Sequence, residues 1–497
     1  MSSNRQKSLL LLAGAAAAAG FVAVGYRTWH SSRKRTLLGQ MRKRMLLDDS
    51  GLIEVRDDFC KQMVAGLNGE TSSLLMIPSM VDIIPSGNER GRYLALDLGG
   101  TNFRCVYIKL GDGKGQIEDV KIEQCEIPEH HFTSPAADLF TFMAEKMVAF
   151  AKTLGFSRGH ASERPVVGFC FSFPCQHISL NSGKLIRWTK KFNNPGAVGE
   201  DPVRMLEDAF DRIDFPVDVD CMVNDTVGVL AAARYLDSSV MIGMILGTGT
   251  NACYVEKIDN VRKLAQTPRR RRQTMIINIE WGAFTSKTLP RLEFDRDLDS
   301  SSANPGEMQL EKLTSGMYLG EVTRRILLQF AEQTGLFGGS VPELQTPGSL
   351  TTPDTSRIDH DSTFFGGPTG DILRSELGLS HWQTFWDRQL VRDIVRLVAQ
   401  RSSQLIAAGI AALLRQMERD GTFGPMQRTV VAVDGGMFAH YRAFREELLS
   451  ALERIMGAEA AHQIVLKHQQ DGSSMGAVTM AGAAAGAPSQ WRSEAGG

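Results

Sequence analysis

At 497 residues the chain is too long for one compact core, so two domains is the natural expectation. Its 43% hydrophobic and 22% charged residues are those of an ordinary globular protein, and a formal charge of -1 gives no field for gripping nucleic acid. Seven cysteines, an odd number without a CxxC pair, argue against a disulfide framework or zinc site and for reduced core thiols in a cytosol-facing protein.

The amino terminus departs from this globular picture. Residues 9–26 carry no charge and are mostly Leu, Ala, Val and Gly; at the helical rise such a run spans roughly 27 Å, enough for a thin bilayer. Arg27, Arg33, Lys34, Arg35, Arg42, Lys43 and Arg44 follow it, against Arg5 and Lys7 before it, which would keep the body on the cytosolic side. The reading is an uncleaved membrane anchor. Its rival is a cleaved signal or organelle presequence, since the Ala-rich run offers small residues for cleavage.

A charged helix is expected between Thr36 and Leu52, with Leu37, Leu38, Met41, Met45 and Leu46 on one face, and a second over Val55 to Gly66. Tyr93–Leu98 and Phe103–Leu110 are aliphatic runs joined by Gly-Gly-Thr-Asn, which predicts an antiparallel hairpin. A helix over Asp138–Leu154 follows. The alternation of Val217, Val219, Cys221 and Val223 predicts a half-buried strand, and Thr226 onward a helix.

The strand, glycine turn, strand unit recurs at Val240–Leu246, Gly-Thr-Gly-Thr-Asn and Ala252–Glu256, which suggests duplicated α/β halves. A third glycine turn follows Thr429–Val433. Long helices are expected over Glu307–Gln333 (interrupted at Gly316 and Gly320), Trp382–Glu418 and Ser474–Ala485. Gly338–Gly370, rich in Gly, Pro, Ser, Thr and Asp, reads as a long surface excursion. Two α/β domains with a nucleotide between them, a long cleft and a hinge follow from this layout.

The chemistry concentrates at strand ends. Asp97 closes a strand, and Gly99-Gly100 permit a sharp turn whose backbone amides phosphate oxygens can approach. Thr101 and Asn102 add neutral donors and Arg104 a permanent charge. Asp97, an acceptor only, suits a Mg²⁺ ion and its waters. An ordinary Gly-Gly hairpin is the plain alternative.

The Walker A pattern and the protein-kinase signatures are absent. Gly247 to Ala252 fits GxGxxA, but Cys253, Tyr254 and Val255 continue as a strand where a dinucleotide fold needs a helix. Asp225 sits at a strand's end and a helix's start, where the helix dipole favours the ionised carboxylate; alone it could be a plain N-cap. A carboxylate with no His partner fits phosphoryl transfer, whose base accepts a proton late, and does not fit acyl transfer. Phe171-Ser172-Phe173-Pro174 and Trp188-Thr189-Lys190 offer apolar walls with sparse donors for a polyhydroxylated ring. Asn224, Asn251, Glu280 and Glu311 can each grip sugar hydroxyls, though Glu280 and Glu311 could also be helix-terminal or surface carboxylates.

Taken together, these segments resemble the hexokinase family, within it the long plant-type enzymes. The stretches that carry the resemblance are LALDLGGTNFR at 94–104, FSFP at 171–174, LIRWTK at 185–190, VNDTVG at 223–228 and ILGTGTNA at 245–252. EWGAF at 280–284, NPGE at 304–307 and SGMYLGE at 315–321 continue it in order, over residues 36 to about 486.

The resemblance implies an actin-like ATPase (ribonuclease H-like) duplicated fold, α/β, with two domains around a deep cleft. It also implies transfer of the γ-phosphoryl of ATP, with Mg²⁺, to the 6-hydroxyl of glucose or a related hexose. On this reading Asp225 is the base, and Ser172, Thr189, Lys190, Asn224, Asn251, Glu280 and Glu311 hold the sugar, with Lys190 also catalytic. Asp97, Gly99, Gly100, Thr101, Asn102, Arg104, Gly247, Thr248, Asp434, Gly435 and Gly436 hold the nucleotide.

The large domain is expected over 36–88 and 225–470 and the small one over 89–224 and 471–487. Residues 1–35 form the anchor and basic flank, and 488–497 a tail. The expected state is a monomer, anchored in the mitochondrial outer membrane first and a chloroplast envelope next. Lys191 replaces the family's usual Gly, Arg269 to Arg272 form a basic run, and 471–476 follows the closing glycine turn only loosely. Lys191 raises the alternative of a catalytically weak glucose sensor or scaffold on the same fold; a chaperone-like or filament-forming ATPase of this superfamily is a third, disfavoured by the sugar loop.

Overall fold

The computed structural model describes residues 32–81, 84–99, 102–156, 164–189, 191–264, 273–339, 341–379, 383–419, 421, 424 and 427–486. The expected anchor at 9–26, the turn residues Gly100 and Thr101, Lys190 and the arginine run at 269–272 lie outside the described residues.

A short strand, β1 (Ile77–Pro78), comes first. β2 (Gly91–Leu98), β3 (Asn102–Leu110) and β4 (Ile117–Glu126) then form an antiparallel meander. β5 (Val166–Phe171) joins β2 in parallel; past the small hairpin of β6 (Cys175–Ser179) and β7 (Ser182–Leu185), β8 (Asp218–Val223) joins β5. The sheet order is β4-β3-β2-β5-β8.

The pattern then repeats. β9 (Val240–Leu246), β10 (Thr250–Lys257) and β11 (Thr274–Asn278) are antiparallel, while β12 (Thr429–Asp434) and β13 (Ile464–His468) add in parallel. Their order is β11-β10-β9-β12-β13, with β1 on the outer edge. Each half therefore runs three, two, one, four, five in its own numbering, which is the duplicated ribonuclease H-like arrangement of the actin-like ATPases.

Helices α1 (32–45) and α2 (Asp49–Asn68) precede the first sheet, and α3 (Ala136–Thr153) and α4 (Pro202–Arg212) pack against each other beside it. α5 (Asp225–Leu236) links the two halves. A helical block of α6 (Glu293–Ser300), α7 (Gln309–Thr314), α8 (Leu319–Thr334), α9 (Thr352–Asp359), α10 (Gly367–Ser375) and α11 (Phe385–Arg419) separates β11 from β12. α12 (Gly436–His440), α13 (Arg442–Met456), α14 (Ala458–Ala461) and α15 (Gly472–Ala485) are the last elements among the described residues.

α5 and α15 each follow the fifth strand of a sheet and lie where the two halves meet. Val227, Leu230, Ala477 and Ala481 share one apolar cluster with Ala95 and Ile108 of the first sheet and Val240, Ile276 and Val430 of the second. The central strands are therefore apolar on both faces, which explains unbroken runs such as Val240–Leu246. α5 and α15 approach so closely that a Cβ on Gly476 would run into the Gly228 carbonyl. Glycine is required there for close approach, not for its dihedral freedom.

Several expectations need correction. The helix expected over Glu307–Gln333 is two, α7 and α8, broken at 315–318 where the Gly316 N–H donates to the Gly247 carbonyl at 2.8 Å; Gly320 lies inside α8. Gly338–Gly370 is no surface excursion: it contains α9 and the start of α10, with Leu344, Leu350 and Ile358 buried. Its turn-forming residues serve as helix starts, Thr351 making a capping box with Asp354. β8 is not half-buried at its end, since Cys221, Met222 and Val223 are all buried in succession. α11 is long and apolar enough to cross a bilayer by composition, but 94% of its apolar window is buried, so it is a core helix.

Candidate active site

Among the described residues, several of those singled out from the sequence lie at the carboxyl ends of β2, β8, β11 and β12, where open α/β sheets bind ligands, while Asn102, Arg104 and Asn251 lie at the amino ends of the antiparallel strands β3 and β10. Asn224 ends β8 as the N-cap of α5, its Oδ1 accepting the Thr226 N–H at 3.1 Å and the Thr226 hydroxyl at 2.8 Å. Asp225 is then the first residue of α5, half-buried, and its Oδ1 accepts the same N–H at 2.8 Å. The carboxylate is held at the positive end of the helix.

Three elements bring further polar groups to the same place. Asn251 on β10 donates through Nδ2 to Glu280 Oε1 at 3.1 Å and to Asn278 Oδ1 at 2.9 Å, and Asn278 Nδ2 donates to the same Glu280 oxygen at 2.8 Å. Glu280 follows β11 in the left-handed region (φ 57°), a backbone conformation seldom taken by residues other than glycine, Asn and Asp. Glu311 on α7 accepts the Thr250 N–H at 3.1 Å, and Trp281 donates its ring N–H to the Thr250 hydroxyl at 2.9 Å.

Burial pushes the Glu280 carboxyl up to about 7; the hydrogen bond from Asn278 opposes this, the Asp225 and Glu311 charges add to it, and the Asn251 bond opposes it. Three carboxyls thus share one field. A group poised near neutrality among them can both donate to and accept from a sugar hydroxyl.

The phosphate-turn residues form a second, connected set. Asp97 on β2 is buried, and its Oδ2 accepts the Ser473 hydroxyl at 2.8 Å and that of Ser474 at 2.5 Å. Arg104 on β3 lies 3.9 Å from Asp97 and 3.4 Å from Asp471. Asp434 at the end of β12 accepts the Gly472 N–H at 2.9 Å, and burial is the chief cause of its carboxyl standing above its ordinary range. Gly435 has φ 121° and presses on Leu246, so any side chain there would be both strained and obstructed. The second glycine turn lies against this third one: a Cβ on Gly247 would be 3.6 Å from Gly435 Cα. Thr248 is exposed on that turn, its carbonyl taking the Met317 N–H at 3.0 Å, and Gly436 is exposed as α12 begins.

Cys170 on β5 joins the two sets. Burial is the main cause that drives its thiol well up, and the Asp97 and Asp225 carboxylates both add to it. Ser172, two residues on, takes its place beside the first glycine turn: its N–H donates to the Leu98 carbonyl at 3.1 Å, and a Cβ on Gly99 would be 3.5 Å from its hydroxyl. Asn102 starts β3 across that turn. Thr189 is half-buried in the segment after β7, with its carbonyl accepting the Phe192 N–H at 3.3 Å.

Sequence reasoning missed Asn278, which touches both Asn251 and Glu280; it noticed 471–476 as a loose closing glycine turn but not that Asp471–Ser474 bind Asp97, Arg104 and Asp434 together. The signal for Asn278 was its place two residues before Glu280 at a strand's end. For Ser473 and Ser474 no local signal exists, because their partner is 376 and 377 positions away.

The hexokinase family profiles match residues 37–235 and 241–483. Hexokinase-1 of Nicotiana tabacum is 40% identical over 455 residues, covering 90% of this chain and 91% of that protein. Hexokinase-2, chloroplastic, from the same plant is 42% identical, covering 87% of each. Among solved structures, the hexokinase of Schistosoma mansoni complexed with glucose superposes with a TM-score of 0.79 at 31% identity, covering 91% of this chain and 99% of that one. On its sheet order, its strand-end carboxylates and these full-length similarities, the chain belongs to the hexokinase family.

Proposed function

We propose that this hexokinase carries the terminal phosphoryl group of ATP to the 6-hydroxyl of glucose, and of related hexoses such as fructose and mannose, with Asp225 as the base. The observation that carries the assignment is the convergence of Asp225, Glu280 and Glu311 in one field, with Glu311 accepting the Thr250 N–H at the end of the second glycine turn. Asp225 takes the proton of the attacking hydroxyl as the bond to phosphorus forms. Asn224, Asn251, Glu280 and Glu311, with Ser172, Thr189 and Lys190, hold the ring; the Lys190 ammonium also supplies positive charge to the transferring group.

Asp97, Gly99, Gly100, Thr101, Asn102, Arg104, Gly247, Thr248, Asp434, Gly435 and Gly436 hold the nucleotide. Mg²⁺ enters with ATP as part of that substrate. Asp97, whose Oδ2 is oriented by the Ser473 and Ser474 hydroxyls, would meet a magnesium-bound water.

Residues 36–88 and 225–470 act as the large body and 89–224 with 471–487 as the small one. Their closure on the sugar excludes water, the competing nucleophile. An Arg187–Glu307 pair at 3.5 Å between these two bodies supports an opening that can be spanned. The molecule acts as a monomer, held by residues 9–26 on the cytosolic face of the mitochondrial outer membrane; the chloroplastic name of one relative supports a plastid envelope as the second site. Lys191, the motive for a sensor reading, is exposed and lies 4.0 Å from Glu129 and 5.8 Å from the Phe132 ring centre, so it leaves the enzyme reading intact.

A kinetic panel of glucose, fructose and mannose with MgATP tests the proposal. Hexose 6-phosphate should form from glucose and from at least one of the others; no product from any of the three would sink it.

A further inference from the structure

We propose that Phe364, Phe365 and Trp386 form a second membrane contact, a patch of aromatic rings that enters the headgroup layer of an anionic bilayer beside the amino-terminal anchor. The inference rests on the anchor reading of residues 9–26.

The three side chains are 76%, 68% and 66% exposed, yet they stand together. Phe364 and Phe365 have ring centres 5.0 Å apart, Phe364 stacks on Phe385 at 5.7 Å, and Phe385 meets Trp386 at 5.0 Å. A contiguous exposed aromatic group of this kind marks an interaction surface.

The loop that carries the two phenylalanines is firmly tied. Asp361 accepts the N–H and hydroxyl of Thr363 at 2.9 and 2.6 Å and those of Thr369 at 3.0 and 2.6 Å. Arg392 and Arg388 donate to the Thr363 and Phe365 carbonyls, each at 3.3 Å. The rings are thus presented by a built scaffold.

Position chooses the occupant. α1 and α11 run side by side in the same direction: Lys34 Nζ lies 2.8 Å from Asp387 Oδ1, Arg42 acts on Asp393, and the Leu47 N–H donates to Gln404 at 3.0 Å. Both helices therefore start at one end of the molecule. Trp386 is the residue before Asp387, so the patch adjoins the first turn of α1. The apolar run ends at residue 26 and the described part of α1 starts at 32, six residues on, a stretch that can span at most about 20 Å even fully extended.

A bilayer that receives residues 9–26 must then lie close to these rings. Arg33 and Arg35 are exposed in the same turn of α1, which suits anionic headgroups. Trp and Phe are among the side chains suited to the interface, where ring and headgroup meet.

The test uses the full chain with phosphatidylcholine vesicles containing phosphatidylserine. Flotation reports membrane attachment, and the emission of the wild type minus that of Trp386→Phe isolates Trp386. The full chain should float, and the Trp386 emission should fall at least about twofold when the lipid acyl chains carry bromine near the headgroup. The Phe364→Ser/Phe365→Ser double variant should still float and phosphorylate glucose normally, with less quenching of Trp386. A floated protein whose Trp386 ignores the bromine overturns the patch contact while leaving the anchor in place; a second copy covering the patch would give this result. A chain that does not float overturns the anchor and the patch contact together, as it would if residues 9–26 folded back over the rings.

Discussion

Glu280 shows how the site is tuned residue by residue. Its carboxyl would ionise near 4.5 in the unfolded chain but stands near 7 in the fold, raised first by burial. The folded protein holds that proton longer, so its stability falls as pH rises from the ordinary value through 7, and the penalty is complete above 7. Glu280 keeps some surface open to the cleft, which brings the cost to on the order of 2 kcal/mol. Glu280→Gln keeps the acceptor oxygen and removes the charge. Thermal melts should show the variant gaining on the wild type from about pH 4.5 through about pH 7 and levelling off above it; a constant difference across that range would show that burial does not perturb this carboxyl.

Asn278 belongs to the same network as a positioning residue. Asn278→Ala removes the donor that opposes the rise of Glu280 and the acceptor that orients Asn251. The glucose KM should rise about tenfold or more, beyond any fall in kcat, and the acid limb of kcat/KM should move to higher pH. A merely structural role would reduce the yield of active enzyme and leave the pH profile where it was.

At the scale of elements, the glycine hairpins were legible because aliphatic strands end in turns that only small residues permit. α5 was legible from the change of period after Val223. The stretch Gly338–Gly370 was not, because Pro, Thr, Asp and Gly start helices as well as break them. Thr351 and Pro353 open α9, and Gly366, Gly367 and Pro368 open α10. The α7–α8 break was half legible: glycine was seen, but its reason is Gly247, about seventy positions earlier, onto which Gly316 docks. The α5–α15 crossing was invisible in either helix alone. Gly476→Val should force these helices apart and cost at least about 1–3 kcal/mol, read as a lower urea midpoint. An unchanged midpoint would mean that the close crossing bears little of the stability.

Over the whole molecule, two copies of one sheet plan meet at α5 and α15, and the polar groups of both halves face each other there. Asp97 belongs to the first sheet, but the serines that hold it come from α15, after the second sheet. Asp225 closes the first half, yet the carboxyls beside it come from the second. The strand-end residues of the candidate site could be named from local pattern, while the groups that hold them could not, since those partners are distant in sequence. On the proposed function, a bound sugar would draw the halves together while the reacting groups stay on helix and strand ends.

The central claim is that Asp225 acts on the proton and not on the grip of the sugar. Glucose binding by titration calorimetry and turnover with MgATP should be measured side by side for the wild type and Asp225→Ala. Glucose affinity should stay within a modest factor while turnover drops about 10²-fold or more, the scale of a lost general base. Turnover close to the wild-type value would contradict the account.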